Sequence, residues 1–235
     1  RRPVIIGSGP AGLFTGLVLA RLGCRPILLE RGDSVETRQK KVDLFWNTGV
    51  LDPESNVQFG EGGAGTFSDG KLNTAVKDPS GRNGFVLRTF VEMGADPEIL
   101  YLNKPHIGTD ILRTVVTRLR EEILSLGGEV RFRSRVTDFF IRDGRMTGVE
   151  INGIERLDAD QVILATGHSA RDTFRVLLEK PVLMKAKSFA VGVRMEHPQE
   201  LIDNNQYGRA HGSVLPAADY KVTRKLENGK GVYSF

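Results

Sequence analysis

The sequence of 235 residues has a single cysteine, Cys24, and one thiol excludes several kinds of site at once. It cannot form an intrachain disulfide, a Cys-x-x-Cys redox pair or a multi-cysteine zinc site within the chain. The histidines do not form a metal site either, because none has metal-ligand spacing to another. They are His106, His168, His197 and His211. No metal site is predicted, and any redox chemistry therefore requires a bound cofactor.

The sequence also lacks long apolar runs and blocks of like charge. No stretch approaches the roughly 20 apolar residues that a membrane helix needs, and no secretory signal is visible. We therefore expect no membrane segment and a cytoplasmic location. The 33 Lys and Arg residues are scattered among 29 Asp and Glu residues, for a net charge of +4. Without a concentrated basic face, this pattern argues against a nucleic-acid partner.

A dinucleotide-binding fingerprint opens the chain. Residues 3–6 form a short apolar run, and Gly7-Ser8-Gly9-Pro10-Ala11-Gly12 follows at once in the order Gly-x-Gly-x-x-Gly. Apolar residues then recur at helical spacing until Gly23. In such a turn the first glycine permits the tight bend and the second lets the backbone approach a pyrophosphate, while the third lets the helix pack on the strand. The helix N-terminus attracts phosphates.

A second apolar strand, residues 26–29, ends in Glu30, which lies 18 residues after Gly12. An acidic residue at this distance accepts hydrogen bonds from ribose hydroxyls, and its charge argues against a 2′-phosphate. Arg31 beside it is assigned to the same site. Arg38 is a candidate phosphate contact, although with Lys40 and Lys41 it also fits a solvated helix face. The fingerprint predicts FAD or NAD and does not separate them.

Two later segments bear on the choice between FAD and NAD. Strand-like runs over 135–157 are joined by Asp143-Gly144 and Asn152-Gly153, pairs that accept the positive φ angles of hairpin turns. They predict a three-stranded antiparallel meander. Another buried strand, 161–164, ends in Ala165-Thr166-Gly167. Small residues at the carboxyl end of a parallel strand let a cofactor approach closely.

The fingerprint, the meander and Ala165-Thr166-Gly167 together resemble the glutathione-reductase-like class of FAD proteins. The segments Phe59–Leu72 and Lys104–Asp110 are similar to predicted FAD-dependent dehydrogenases of bacteria, more distant relatives of geranylgeranyl reductase and fumarate reductase flavoproteins. The resemblance covers essentially the whole chain. It implies an FAD-dependent oxidoreductase with a backbone contact to the adenine at or near Val136. Because the chain has one fingerprint, NAD(P)H is expected only as a transient electron donor.

Residues 52–81 hold six glycines and few apolar residues, which predicts a long loop. Its amides are expected to contact the pyrophosphate or the flavin, since anion-binding nests need glycine-like conformations. The residues assigned to this contact are Gly62, Gly63, Ala64, Gly65 and Thr66. A mobile surface loop is the alternative. Asp69 and Lys71 either place charge near the flavin or form an exposed ion pair, and His106 is a candidate acid or base.

The predicted architecture is an α/β, Rossmann-like FAD-binding fold with a parallel sheet and an antiparallel β-meander insertion. This first domain covers 1–180 and is discontinuous, with a cap and loop region at about 50–108 and the meander at 135–157. Residues 181–235 are predicted to form part of an antiparallel substrate domain. Because the class closes its flavin site with a C-terminal segment that is not found here, the chain is expected to be a fragment.

Further elements are predicted from periodicity. Helices are expected over 109–126 and 170–179, an alternating strand over 189–196, and a hairpin around the polar turn 227–230. Two other functions stay open, an FAD-dependent tRNA-modification protein and a non-catalytic nucleotide-binding module. The sequence leaves the small-molecule substrate, the catalytic residues and the oligomeric state unassigned.

Overall fold

The structure is a computed structural model that describes residues 1–68, 70–72, 77–102, 105–208 and 214–234. Asp69 and His211, both considered above, lie outside the described residues. The chain divides into two compact units, Arg1–Met184 and Lys185–Phe235. The first unit contains most of the regular structure. Its elements in chain order are β1 (Val4–Ile6), α1 (Pro10–Arg21), β2 (Ile27–Leu29), α2 (Val35–Thr48), α3 (Arg82–Glu92), α4 (Thr109–Ser125), β3 (Glu129–Arg131), β4 (Val136–Arg142), β5 (Arg145–Ile151), β6 (Glu155–Asp158), β7 (Val162–Leu164) and α5 (Arg171–Leu178).

Four of these strands form a parallel sheet in the order β3-β2-β1-β7. Strands β1 and β2 are buried on both faces, which explains why they read as continuous apolar runs. Ile5 and Leu28 pack with helices α1 and α4 on one face, and Val4 and Ile6 pack with the meander and α5 on the other. The predicted α/β fold with a parallel sheet is confirmed.

The meander β4-β5-β6 is a separate antiparallel sheet. Its two turns lie at the predicted pairs, where Asp143 and Asn152 have φ angles of 51° and 56° and are followed by Gly144 and Gly153, also with positive φ. Two successive positive φ angles match the right-handed twist of the flanking strands. Local turn chemistry therefore sets the register of the meander.

Helix α4 lies within one residue of its predicted range and forms a large part of the core on its face of the sheet. Val115, Leu119 and Ile123 recur at four-residue spacing and are fully or almost fully buried. Helix α1 crosses close by, and Gly16 makes this possible because a Cβ there would lie 2.9 Å from Leu28 Cδ1 and 3.1 Å from Ile123 Cδ1. The absence of a side chain at Gly16 lets α1 approach the sheet.

Between α2 and α4 the sequence predicted only a cap and loop, and the structure adds helix α3 with 3₁₀ turns at Gly63–Phe67 and Pro97–Leu100. The carboxylate of Asp78 begins α3 by accepting hydrogen bonds from the backbone amides of Arg82 and Asn83 at 2.8 and 2.7 Å. The helix then packs two phenylalanine rings edge-on against Phe14 of α1. Asp78 is a local signal for the start of a helix, but it lies within the glycine-rich residues 52–81, which predicted a loop.

The second unit contains helix α6 (Gln199–Tyr207) and an antiparallel pair, β8 (Thr223–Lys225) and β9 (Gly231–Tyr233), which flank the predicted polar turn. The predicted strand over 189–196 is wrong, because these residues have no regular structure and Phe189 and Val191 are each 83% exposed. An alternating pattern makes a strand only where a neighbouring strand supplies hydrogen bonds, and none of the described strands pairs with this segment.

None of the helices in the described part of the chain combines the length and the apolar character needed to cross a bilayer.

Replacing Leu119 with Ala tests the packing of α4. Because its side chain is 1% exposed, we expect the free energy of unfolding to fall by about 2–5 kcal/mol. Leu124→Ala on the same helix is the control, since that side chain is 45% exposed and its loss should cost less than about 1 kcal/mol. Urea denaturation followed by circular dichroism measures both variants, and equal losses would contradict the packing described for α4.

Candidate cofactor-binding cleft

A cleft of about 520 Å³ opens in the first unit, where strands β1, β2 and β7 end. This is the edge at which ligands bind in parallel α/β sheets. Many of the residues assigned to cofactor contact from the sequence line it. They are Gly7, Gly9, Pro10, Ala11, Glu30, Arg31, Gly63, Ala64, Val136, Ala165, Thr166 and Gly167. The structure thus brings together segments that are more than 100 residues apart in sequence.

Gly9 shows that the cleft fits a ligand. Its φ of −67° is open to any residue, and a Cβ added there would meet only Gly63 Cα at 3.8 Å, an ordinary contact. Neither backbone strain nor protein packing therefore requires glycine at this position. A ligand that approaches the backbone closely does require it, as a pyrophosphate does in dinucleotide sites.

The other two fingerprint glycines have packing roles. A Cβ at Gly7 would lie 2.5 Å from the carbonyl oxygen of Ala165, and one at Gly12 would lie 1.9 Å from the carbonyl oxygen of Gly7. Gly7 also has a φ of 99°, in the region that favours glycine. These contacts press the turn against β7 and helix α1 against the turn. The first intrahelical bond of α1 runs from Leu13 N to Gly9 O, so the preceding amides of Ala11 and Gly12 have no intrahelical acceptor.

Glu30 is buried at the end of β2 and accepts four hydrogen bonds from the protein. One carboxylate oxygen accepts from the amide and the hydroxyl of Ser8, both at 2.8 Å. The other accepts from the amides of Gly32 and Gly60, at 2.9 and 3.1 Å. Ser8 itself is fully buried and does not line the cleft. Glu30 therefore joins the fingerprint to the glycine-rich loop while it also borders the cleft.

Arg38 was predicted either to contact a phosphate or to lie on a solvated helix face. In the structure it neither lines the cleft nor lies on a solvated face. Its side chain is 0% exposed, and its guanidinium donates to backbone carbonyls of the loop. The acceptors are Asn56, Val57, Gly60, Glu61 and Gly63, at 2.7 to 3.3 Å. Burial lowers the pKa of Arg38 to about 10, which leaves it charged at neutral pH. The predicted phosphate contact at Arg38 is replaced by a structural role.

Arg31 lines the cleft and also connects three segments. Its guanidinium binds the Asp172 carboxylate through two hydrogen bonds of 3.0 and 2.8 Å and the Glu54 carboxylate through a third of 2.9 Å. The same group lies 4.3 Å from the centre of the Phe59 ring. Bidentate pairing of this kind fixes the plane of the guanidinium. Arg31 thereby holds the start of α5 next to the end of β2 at the cleft.

The glycine loop reaches the cleft at only two of the five predicted positions, Gly63 and Ala64. Gly62 donates its amide to the carbonyl of Ser8 at 2.8 Å, and the Thr66 hydroxyl donates to the carbonyl of Glu61. These residues and Gly65 shape the 3₁₀ turn without lining the cleft. Gly63 and Ala64 therefore line the cleft, whereas Gly62 and Thr66 make hydrogen bonds to the fingerprint and within the loop.

Sequence reasoning missed several cleft residues. Gln58, Phe59 and Gly60 come from the loop, Ser134 and Arg135 precede the meander, and Ala170, Thr173 and Phe174 begin helix α5. The last group carried a usable signal, because α5 follows Ala165-Thr166-Gly167 almost directly. Ser134 and Arg135 directly precede Val136, which was assigned to the site. The loop residues depend on how the loop folds back on the end of β2, which no local pattern encodes.

The structure places His168 in the cleft and His106 outside it. His168 lines the cleft, and its Nδ1 lies 2.9 Å from the hydroxyl of Ser169. His106 forms an isolated backbone bridge with Lys71 and does not line the cleft. Across the described ranges, no group of three or more His, Cys, Asp or Glu side chains is arranged to hold a metal ion.

Comparison with known proteins assigns the chain to a family. Residues 1–179 match the pyridine nucleotide-disulphide oxidoreductase family, and residues 188–235 match the C-terminal-domain-like family of FAD-dependent proteins. The chain belongs to the pyridine nucleotide-disulphide oxidoreductase family. The matches confirm the predicted class, an FAD-binding oxidoreductase, with FAD as the cofactor.

Individual relatives are longer than this chain. A Clostridium beijerinckii protein is 52% identical over 236 residues, which cover all of this chain and 44% of that protein. Protein FixC of Salmonella typhi is 28% identical over 209 residues, 86% of this chain and 44% of its own length. The chain thus spans less than half of either relative, in agreement with the expectation that it is part of a longer protein.

Solved structures were also matched. The crystal structure of Thermovibrio ammonificans THI4 has a TM-score of 0.49 at 19% identity, over 77% of this chain and 62% of that one. Lactococcus lactis thioredoxin reductase has a TM-score of 0.37 at 16% identity, over 69% and 34% of the two chains.

Replacing Arg38 with Met tests its structural role. The change leaves the carbonyl acceptors of the loop without their donor, so we expect the free energy of unfolding to fall by about 3 kcal/mol or more. Lys40→Met on the same helix removes an exposed cation and should cost less than about 0.5 kcal/mol. Chemical denaturation measures both, and a small effect of Arg38→Met would mean that the loop does not depend on this side chain.

Proposed function

We propose that the cleft binds FAD in an extended conformation, with the pyrophosphate over Gly9 and the N-terminus of helix α1. The unfilled space at Gly9 is the observation that carries this placement, because no protein atom accounts for the missing side chain. The amides of Ala11 and Gly12 are free of intrahelical bonds and would donate to the phosphate oxygens.

The two ends of the cofactor follow from this placement. The adenosine lies at the end of the cleft bordered by Glu30, Arg31 and Val136, where the Glu30 carboxylate is the acceptor for ribose hydroxyls. The flavin lies toward Ala165-Thr166-Gly167 and His168. Because Glu30 already accepts four protein donors, a ribose hydroxyl would share its oxygens with Ser8, Gly32 and Gly60. Cofactor binding and local folding therefore use the same carboxylate.

In the whole protein, we infer a redox flavoenzyme that acts on a small-molecule substrate. Bound FAD supplies the transfer of an electron pair, while the protein contributes position and electrostatics. NAD(P)H is proposed as a transient reductant, since this chain has one dinucleotide fingerprint. Residues 1–180 form the cofactor domain and 181–235 form part of the substrate domain in this proposal, which keeps the cytoplasmic location expected from sequence.

Replacing Gly9 with Ala tests the pyrophosphate placement. The added methyl fits the protein, so thermal unfolding of the protein without cofactor should be unchanged, but it would occupy the space of the phosphate oxygens. We expect FAD affinity to fall by about tenfold or more, the equivalent of about 1.4 kcal/mol. Val18→Ala, on the outer side of the same helix, should leave FAD affinity unchanged. FAD titration followed by fluorescence measures both, and wild-type affinity in Gly9→Ala would refute the placement.

The redox function is tested by the absorbance spectrum of the purified intact protein and by anaerobic titration with NADH and NADPH. We expect flavin bands that bleach on addition of one of the two reductants. Bound FAD that neither reductant bleaches, and that supports no turnover with artificial dyes, would favour a non-catalytic nucleotide-binding module. A protein that takes up no flavin after reconstitution would refute the placement of FAD in this cleft.

A further inference from the structure

Glu61 lies in the glycine loop between Gly60, which contacts Glu30, and Gly62, which contacts Ser8 of the fingerprint. On one side the Gly60 amide donates to the Glu30 carboxylate at 3.1 Å, and on the other the Gly62 amide donates to the Ser8 carbonyl at 2.8 Å. The amide of Glu61 itself donates to the carbonyl of Asp33 at 3.0 Å. Movement of Glu61 would therefore displace the contacts that place the loop beside the cleft.

The Glu61 side chain is fully buried and ties the loop to two helices. One carboxyl oxygen, Oε2, accepts from the amide of Val35 at the start of α2, at 2.8 Å, and from Nη1 of Arg120 on α4, at 2.9 Å. The other, Oε1, is buried and has no hydrogen-bond partner within the part of the chain that the structure describes. A buried carboxylate oxygen without a partner is a costly arrangement when the group is charged.

Charged groups surround Glu61 on three elements. Glu36 and Arg38 belong to α2, Arg120 belongs to α4, and Glu30 and Asp33 lie at and just beyond the end of β2. Burial raises the pKa of Glu61 to about 7, and Glu36 and Glu30 act in the same direction, whereas the Val35 amide and Arg120 oppose them. Glu36 shares Arg120 but is exposed, and its hydrogen bond to Arg120 holds its pKa at about 2.

We propose that Glu61 is a positioning residue for FAD whose neutral carboxyl group holds the glycine loop in place, and whose ionisation favours release of the loop. Gly63 and Ala64, two and three residues further on, line the cleft and transmit this effect to the cofactor. Release of the loop would hydrate the carboxylate and remove the cost of its unpartnered oxygen. The inference rests on the proposed binding of FAD in this cleft.

The direction of the pH dependence follows from linkage. Glu61 has a pKa of about 7 in the closed loop, above the ordinary value of 4.5, so the closed loop retains a proton that the opened or unfolded chain releases. The contribution of Glu61 to the stability of the closed loop is complete below about pH 4.5. It falls as the pH rises toward 7 and is constant above that. FAD affinity should follow the same course.

The experiment is FAD titration of the intact protein at about pH 5.5 and about pH 8, followed by flavin fluorescence. In the wild type we expect the Kd to rise by about threefold or more between these values. Glu61→Gln replaces the neutral carboxyl with an uncharged group of the same shape, so its Kd should be equal at both values and lower than the wild type at the higher pH. Glu36→Gln removes a carboxylate that raises the pKa of Glu61 and leaves Arg120 to Glu61 alone, so the rise in Kd between these two pH values should be smaller than in the wild type.

Two outcomes would overturn the proposal: a wild type without pH dependence, or a Glu61→Gln variant that keeps it. His168→Asn is titrated alongside because His168 is an ionisable residue that lines the same cleft. Loss of the pH dependence in that variant would assign it to His168 and also overturn the proposal. Should Glu61→Gln fail to fold, the proposal is still tested, because an unchanged slope in Glu36→Gln or a lost slope in His168→Asn would overturn it.

Failure of FAD to bind the wild type at either pH would contradict the placement of the cofactor rather than the role of Glu61. The unfolding of the protein without FAD then tests Glu61 directly. We expect the wild type to lose stability between about pH 5.5 and about pH 7 and Glu61→Gln to show no such loss. A shared loss would overturn the role assigned to this carboxyl group.

Discussion

The carboxylate of Glu30 holds together the three segments on which the cleft depends. Its oxygens accept hydrogen bonds from Ser8 in the fingerprint, from Gly32 after the second strand and from Gly60 in the glycine loop. A buried carboxylate is stable only when its oxygens are well supplied with donors. The same residue that sequence spacing assigns to the ribose is therefore a structural constraint before any ligand binds, and the shape of the nucleotide end follows from it.

The loop that packs against Glu30 has few apolar residues, so it cannot be held by burial of hydrophobic surface. Arg38 takes that role by donating to five loop carbonyls, and its guanidinium also lies 4.8 Å from the centre of the Phe67 ring. Backbone carbonyls away from water require donors, and a planar group with several N–H bonds can serve many of them at once. One side chain from helix α2 thus supplies hydrogen-bond donors to much of the irregular backbone of the loop.

Features encoded by neighbouring residues were predictable from sequence. Apolar runs, the Asp143-Gly144 and Asn152-Gly153 turns and the periodicity of α4 each determine their element locally, and the structure has all of them. The role of Arg38 and the Arg31–Asp172 pair were not predictable, because each joins groups that only the folded loop or the parallel sheet brings together. The segment 189–196 shows the converse, since its alternating pattern is local but strand formation needs a partner.

The arginines in and around the cleft are paired with acidic groups of the protein. Glu30 is buried, and Arg38 lies close enough that the Glu30 carboxylate raises the pKa of Arg38 against the effect of burial. Arg120 pairs with Glu36, and Arg31 pairs with Glu54 and Asp172. Because these cations are matched by acidic groups of the protein, attraction for an anionic cofactor falls to the amides at the start of α1. In the proposed placement, those amides reach a phosphate only if Gly9 has no side chain, so the charge balance of the site depends on the fingerprint glycine.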